Sequence, residues 1–218
     1  MKTPSFLSVR LLWVLLIVFA TSSAAQELKP LELPKPQMQG GRPLMQVLKD
    51  RASSREFSPE KLPPQVLSNL LWAAFGVNRP ESGKRTAPSA MNWQEIDIYV
   101  ATAEGLYLYD AKAHRLNPVL AEDIRAATGG QEFVKDAPVN LAYVADLART
   151  GDASAEDRVF YTATDTGFIS QNVYLYCASE GLATVVRGGI DRQAMAKAMK
   201  LRPDQKIILA QTVGYPKK

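Results

Sequence analysis

Apolar positions along this chain fall into two rhythms. Between Ile96 and Val119 they alternate with polar ones. Ile96–Ala101, Leu106–Asp110 and Arg115–Val119 each read as a strand, and Glu104-Gly105 and Asp110–His114 supply the turns of a three-strand meander. Val139–Ala145, Ala183–Val186 and Gln205–Val213 read as further strands, the first two buried. Helical spacing takes over elsewhere. Leu44–Arg51 carries Leu44, Val47 and Leu48 on one face. Pro64–Phe75 opens on proline and closes at Gly76. A helix over Ala121–Ala127 ends at Gly129-Gly130. Ala155–Glu180 forms one long helix stopped by Gly181, with Phe160, Ile169, Val173 and Cys177 inward and Gly167 as a soft point. Asp191–Lys200 has Asp191 as its N-cap and Met195 and Met199 inward. This order of elements predicts an α+β fold, a mostly antiparallel central sheet covered by helices.

Two stretches follow neither rhythm. Gln26–Pro43 holds four prolines and few large apolar residues. It is expected as an extended arm rather than a packed element. Val77–Met91, with Pro80, Gly83 and Pro88, is expected as a long polar loop, a natural lid over a binding face. The N-terminus has a third pattern. Lys2 and Arg10 precede the apolar run Leu11–Ala20, and small residues follow, with Ser23 and Ala25 at the positions a signal peptidase reads. The run is shorter than the about 20 residues a membrane span needs. No cysteine follows it and no adjacent arginine pair precedes it, so a Sec-type signal cut after Ala25 is expected. The chain then divides into a signal peptide (1–25), an arm (26–43) and one domain (44–218), located in the periplasm or secreted.

Composition narrows the chemistry. The 218 residues carry a net charge of +4. The charge is not gathered into a basic helix, which argues against nucleic acid. Cys177 is the only cysteine and His114 the only histidine. The thiol stands in an apolar helical run and is expected as a buried structural group. The imidazole stands in a turn without partners at ligand spacing, so no metal site is expected.

What remains is a pair of motifs. Arg51-Ala-Ser53-Ser-Arg55 offers two guanidinium groups and a hydroxyl, chemistry suited to a phosphate and a polar ring edge. Arg85-Thr-Ala-Pro-Ser89-Ala-Met-Asn92-Trp93-Gln94 ends in an amide just before a strand, where it can read a ring's donor and acceptor pattern. Bland readings stand beside these. The arginines suit a helix C-terminus, Asn92 a turn cap, Gly188-Gly189 a strand-to-helix turn, and Lys217 and Lys218 a solvated tail.

Taken together, Arg51-x-Ser53-x-Arg55, Ala87–Asn92, Asp165-Thr-Gly167 with Gln171-Asn172, Gly181–Asp191 and Val213-Gly-Tyr-Pro216 resemble the nitroreductase family across Leu44–Pro216. The wording of Gly83–Ser89 is most similar to the branch that includes thiazoline/oxazoline dehydrogenases. The resemblance implies an FMN-dependent oxidoreductase, a homodimer with the flavin at its interface. It assigns Arg51 and Ser53 to the phosphate and ribityl end and Arg55 to the pyrimidine edge. Asn92 would hydrogen-bond the ring, with Ser89 lining the loop. Gly188 and Gly189 would offer backbone N–H groups to the flavin, and Lys217 and Lys218 would approach the phosphate. Family members commonly place a basic residue farther beyond the Gly-Tyr-Pro turn than this chain extends. Arg85 and Trp93 are the candidates to touch a small-molecule substrate. The flavin carries the chemistry, so no catalytic side chain is expected, and donor and acceptor should alternate in ping-pong fashion. A flavin carrier without catalysis, or a dehydrogenase or oxidase of peptide-derived or heterocyclic substrates, are the competing readings. Cytoplasmic relatives typically take electrons from a nicotinamide cofactor, so export leaves the electron donor open.

Overall fold

The computed structural model describes residues 28–218; the expected signal segment lies outside the described residues. In chain order the elements are β1 (Leu31–Glu32), α1 (Leu44–Asp50), α2 (Pro64–Phe75), β2 (Val77–Arg79), β3 (Lys84–Arg85), β4 (Ile96–Thr102), β5 (Gly105–Asp110), β6 (Arg115–Leu120), α3 (Phe133–Asp136), β7 (Val139–Asp146), α4 (Ala155–Glu180), β8 (Ala183–Arg187), α5 (Arg192–Ala198) and β9 (Gln205–Gly214). Seven strands form one sheet in the order β1-β6-β5-β4-β7-β9-β8, and every neighbouring pair is antiparallel.

Strand alternation divides the core. Ile96, Ile98 and Val100 of β4 and Leu141 and Tyr143 of β7 join Leu70 and Leu71 of α2 and Ile169, Val173 and Cys177 of α4. Tyr99, Ala101, Ala142 and Val144 point the other way, where Met195 and Met199 close the second layer. Each fully buried leucine contributes about 1.5–3 kcal/mol. β7 is covered on both faces and buried from Val139 to Ala145, so its sequence is nearly continuous in apolar residues. The α+β architecture with a helix-covered antiparallel sheet is the one the pattern predicts. Helix α4 runs over the predicted span. The Ser154 hydroxyl accepts from the Asp157 N–H at 3.0 Å, and Gly181 ends the helix at φ +70°, a conformation that costs glycine little. Burial removes the Cys177 thiol from solvent and pushes its pKa up, out of the reactive range.

The structure departs from the pattern in the short and the polar segments. The arm is packed, not free. Leu31 and Glu32 pair with Leu116 and Arg115, and Leu28 and Leu33 pack against the main core. The Ser68 hydroxyl donates to the Pro34 carbonyl and meets His114 Nε2 at 2.8 Å, while Tyr109 OH meets His114 Nδ1 at 2.9 Å. His114 is thus a clip between α2 and the meander. The Val77–Met91 stretch contains the β2–β3 hairpin. In place of a helix over Ala121–Ala127 there is a 3₁₀ turn at Arg125–Thr128. On α1 only Val47 is buried, and Leu44 and Leu48 are exposed. Phe160 is also exposed, against expectation. It stands nine residues before Ile169, which at about 100° per residue is half a turn out of phase.

Candidate functional site

After α1 the chain runs along the free edge of β8. The Ser54 N–H donates to the Thr184 carbonyl at 2.9 Å, and the Ser58 N–H to that of Tyr215 at 2.9 Å. Phe57 bridges to Pro216. This seam fixes the preceding motif against α4. The Arg51 guanidinium lies 5.2 Å from the Tyr174 ring centre, and the Ser53 hydroxyl is 2.8 Å from the Tyr174 OH. The same phenol oxygen accepts from the Val186 N–H at 2.9 Å. When the phenol passes its own hydrogen to Ser53, the serine hydrogen is left for an outside acceptor. Arg51 and Arg55 form no ion pair among the described residues, and Arg55 is exposed. Lys217 joins this group through its N–H, 3.3 Å from the Glu56 carbonyl. Lys217 and Lys218 line a cavity of about 990 Å³ that also takes in Phe57, Lys61, Arg125 and Tyr215.

Gly188 and Gly189 continue from β8, two and three residues beyond the Val186 that contacts Tyr174. Both are exposed, and open space lies over the Gly189 Cα. Beneath them the structure places a residue that spacing did not single out. Arg187 is 4% exposed. It donates from Nη1 to the Thr128 carbonyl at 2.6 Å, from Nε to the Thr212 hydroxyl at 3.1 Å and from Nη2 to Asn140 Oδ1 at 3.1 Å. No carboxylate pairs with it among the described residues, and burial lowers its pKa to about 10. A Cβ on Gly129 would run into its Nη1, which is why glycine follows the 3₁₀ turn.

The second motif folds as a compact loop ahead of β4. Met91, Asn92 and Gln94 hold φ of +48°, +55° and +49°, left-handed positions that only asparagine among them favours. Ser89 accepts from the Gln94 N–H at 2.8 Å and donates to Glu95 Oε2 at 3.3 Å. The Ala90 N–H donates to Asp165 Oδ2 of α4 at 2.8 Å. Asn92 is exposed at the tip, and its Oδ1 accepts from Gln94 Nε2 at 3.1 Å. The Ser89 hydroxyl is therefore spent within the loop rather than turned outward.

Arg85 and Trp93 buttress the same loop. The Arg85 guanidinium lies 4.4 Å from the Phe75 ring centre, and its Nε donates to Gln94 Oε1 at 2.8 Å. Trp93 meets Tyr161 edge-on at 5.8 Å. Arg85, Asn92 and Trp93 also line an open cavity of about 600 Å³.

One chain thus brings the predicted residues into two groups. Arg51 and Ser53 meet Tyr174, and Gly188 and Gly189 follow the strand whose Val186 N–H bonds the same phenol. Ser89 and Asn92 share the loop tied to Asp165 through Ala90, braced by Arg85 and Trp93, while Arg55 is exposed and Lys217 and Lys218 line the cavity beside Phe57. Both groups hang on α4, nine residues apart, about 13 Å along its axis. Tyr174, Glu95, Asp165 and Arg187 were not among the predicted site residues. Asp165 stood in a quoted motif, whereas Tyr174 lay hidden in an apolar helical run.

The nitroreductase family's sequence profile matches residues 48–215. A nitroreductase-named protein of Methanocaldococcus jannaschii is 32% identical over 73% of this chain and 85% of its own length. The crystal structure of a nitroreductase-named protein from Ralstonia eutropha JMP134 superposes with a TM-score of 0.84 at 44% identity, covering 88% of this chain and 91% of that one. A nitroreductase-named structure from Desulfovibrio desulfuricans, solved in complex with FMN, shares the fold alone at 23% identity, with a TM-score of 0.59 over 81% of this chain and 88% of its own. With its profile match running from the end of α1 to the end of β9, this chain belongs to the nitroreductase family.

Proposed function

We propose that the chain is an FMN-dependent oxidoreductase that works as a homodimer outside the cytoplasm. One observation carries the reading: Arg51 and Ser53, both from a single short motif, converge on Tyr174 beside the strand that leads into Gly188-Gly189. Two guanidinium groups without ion-pair partners among the described residues, and a hydroxyl that can donate outward, suit a phosphate and a polar ring edge. Arg51, Ser53, Lys217 and Lys218 would hold the phosphate end and Arg55 the pyrimidine edge. Asn92 would bind the ring, and the open backbone at Gly188 and Gly189 would lie along it. When bound, FMN supplies the electron and hydride chemistry, and the protein orients it and limits what reaches its face. Donor and acceptor then take turns at one pocket, giving parallel double-reciprocal lines.

The homodimer is supported by the separation of the two residue groups along α4 and by apolar side chains left exposed: Leu44, Met45 and Leu48 on α1, and Phe160 and Phe168 on α4. Export rests on the N-terminal pattern, with cleavage after Ala25, and calls for a reductant other than a nicotinamide cofactor. The Gly83–Ser89 wording favours a second reading, a dehydrogenase or oxidase of peptide-derived or heterocyclic substrates. Titrating the purified protein with FMN tests both, followed by anaerobic addition of electron donors. Saturable binding and bleaching are expected. Bound flavin that no donor bleaches would mark a carrier, and absence of flavin binding would remove the cofactor reading.

A further inference from the structure

A carboxylate at the head of an apolar strand is costly unless something neutralises it. Glu95, immediately before β4, is fully buried, and Asp165 of α4 is 2% exposed. Adjacent residues of one loop bond them, Ser89 to Glu95 and Ala90 to Asp165, which brings the two carboxyl groups together. Neither forms an ion pair among the described residues. The charged groups of the surrounding elements are engaged elsewhere. Arg149, after β7, pairs with Asp97 and Asp146 and donates to the Gln94 carbonyl. Arg85 of β3 is held on Phe75 and Gln94, and Tyr161 of α4 meets Trp93 edge-on.

Besides the backbone of Glu95 itself, the pair's neutral donors among the described residues come from the loop it supports, Ser89 to Glu95 Oε2 and the Ala90 N–H to Asp165 Oδ2. Glu95 Oε1 is buried and has no donor at all. Two ionised carboxylates here would repel each other. One proton converts that repulsion into a hydrogen bond and gives Oε1 its missing partner.

We propose that Glu95 and Asp165 share one proton and act as positioning residues, holding the Ser89–Gln94 loop, with Asn92 at its tip, in its ligand-reading form only while that proton is present. Met91 and Gln94 store strain as left-handed residues that are not asparagine. At the start of the loop Ser89 and Ala90 both end on the pair, while Gln94 at its far end is held by Arg85 and Arg149. Burial first, then the neighbouring Asp165 charge, lifts the Glu95 pKa to about 7, and burial also raises that of Asp165. The sign follows. The fold keeps this proton at pH values where the unfolded chain has lost it. The pair's contribution therefore weakens as pH rises from the ordinary carboxylate range toward about 7, and levels off above.

The functional half of the proposal rests on the reading of Asn92 as a flavin contact, so the test carries two readouts. FMN affinity and hydrogen exchange of the Ala90–Gln94 amides, corrected for intrinsic rates, are followed from about pH 5.5 to 8.5 in the wild type, Glu95→Gln and Asp165→Asn. Each amide supplies the hydrogen bond that the shared proton made, so the remaining carboxyl group can ionise without losing it. The wild type is expected to lose about five- to tenfold in affinity and in exchange protection across the range, beyond any trend it shares with the variants, while both variants stay flat. A wild-type profile retained in both variants, or no transition in the wild type, would overturn the proposal. A wild-type-only exchange transition with no flavin bound at any pH would support the carboxyl pair and overturn the cofactor reading instead.

Discussion

Tyr174 ties together residues that stand more than a hundred positions apart in the sequence. Its ring lies under Arg51, and its oxygen links Ser53 to the β8 backbone. The guanidinium and hydroxyl spacing of Arg51 and Ser53 stood out in the sequence only together with the other motifs, because arginines alone equally suit a helix end. Tyr174 was not, because a tyrosine in an apolar helical run looks like core. Glu95 was equally hidden, since a glutamate at a strand end looks solvated. The backbone N–H of Arg51 caps α1 by donating to the Val47 carbonyl, so replacing the side chain should leave the helix in place. Arg51→Ala is expected to weaken FMN binding by about ten- to hundredfold, the loss of one charge-assisted hydrogen bond of about 1.5–3 kcal/mol. Arg51→Lys should lose less, because it keeps the charge but not the fork. Fluorescence quenching measures both. Unchanged affinity in Arg51→Ala would mean that the side chain only stacks on Tyr174.

At the scale of elements, length decided what could be read. β4, β5 and α4 are long enough to show their period, and they lie where the pattern placed them. The two-residue β1, the β2–β3 hairpin and the four-residue α3 are too short to carry one. Their positions depend on partners far along the chain, such as Leu116 for Leu31. The arm tests the point. Removing residues up to Leu33 deletes the β1 pairing and the packing of Leu28 and Leu33 on the core. With two partly buried leucines lost, the domain should be less stable by about 2–4 kcal/mol, read as a lower denaturant midpoint with the transition slope nearly unchanged. An unshifted midpoint would return the arm to the free, unpacked state its prolines suggested.

For the whole molecule, the sequence pointed to a single helix-covered antiparallel sheet and a family, and both stand. It did not separate which site residues one chain assembles by itself, since that depends on the tertiary course of α4 rather than on any motif. If the two residue groups complete each other across a dimer, light scattering over a dilution series should give twice the chain mass down to low concentration, with the flavin retained. A flavin-loaded monomer would leave the exposed apolar faces of α1 and α4 unexplained. The sheet has one more consequence. Its two margins are closed by the N-terminal quarter of the chain: β1 lies along β6, and Ser54 meets Thr184 of β8. Bare strand margins template aggregation, and proteins blunt them with short strands and prolines. Here the two-residue β1 and Pro118 within β6 serve that purpose. A chain clipped beyond Leu33 would therefore do more than unfold more easily. It would uncover Arg115 and Leu116 and leave Pro118 alone to blunt the edge of β6, making an intact arm part of the molecule's guard against edge-to-edge self-assembly.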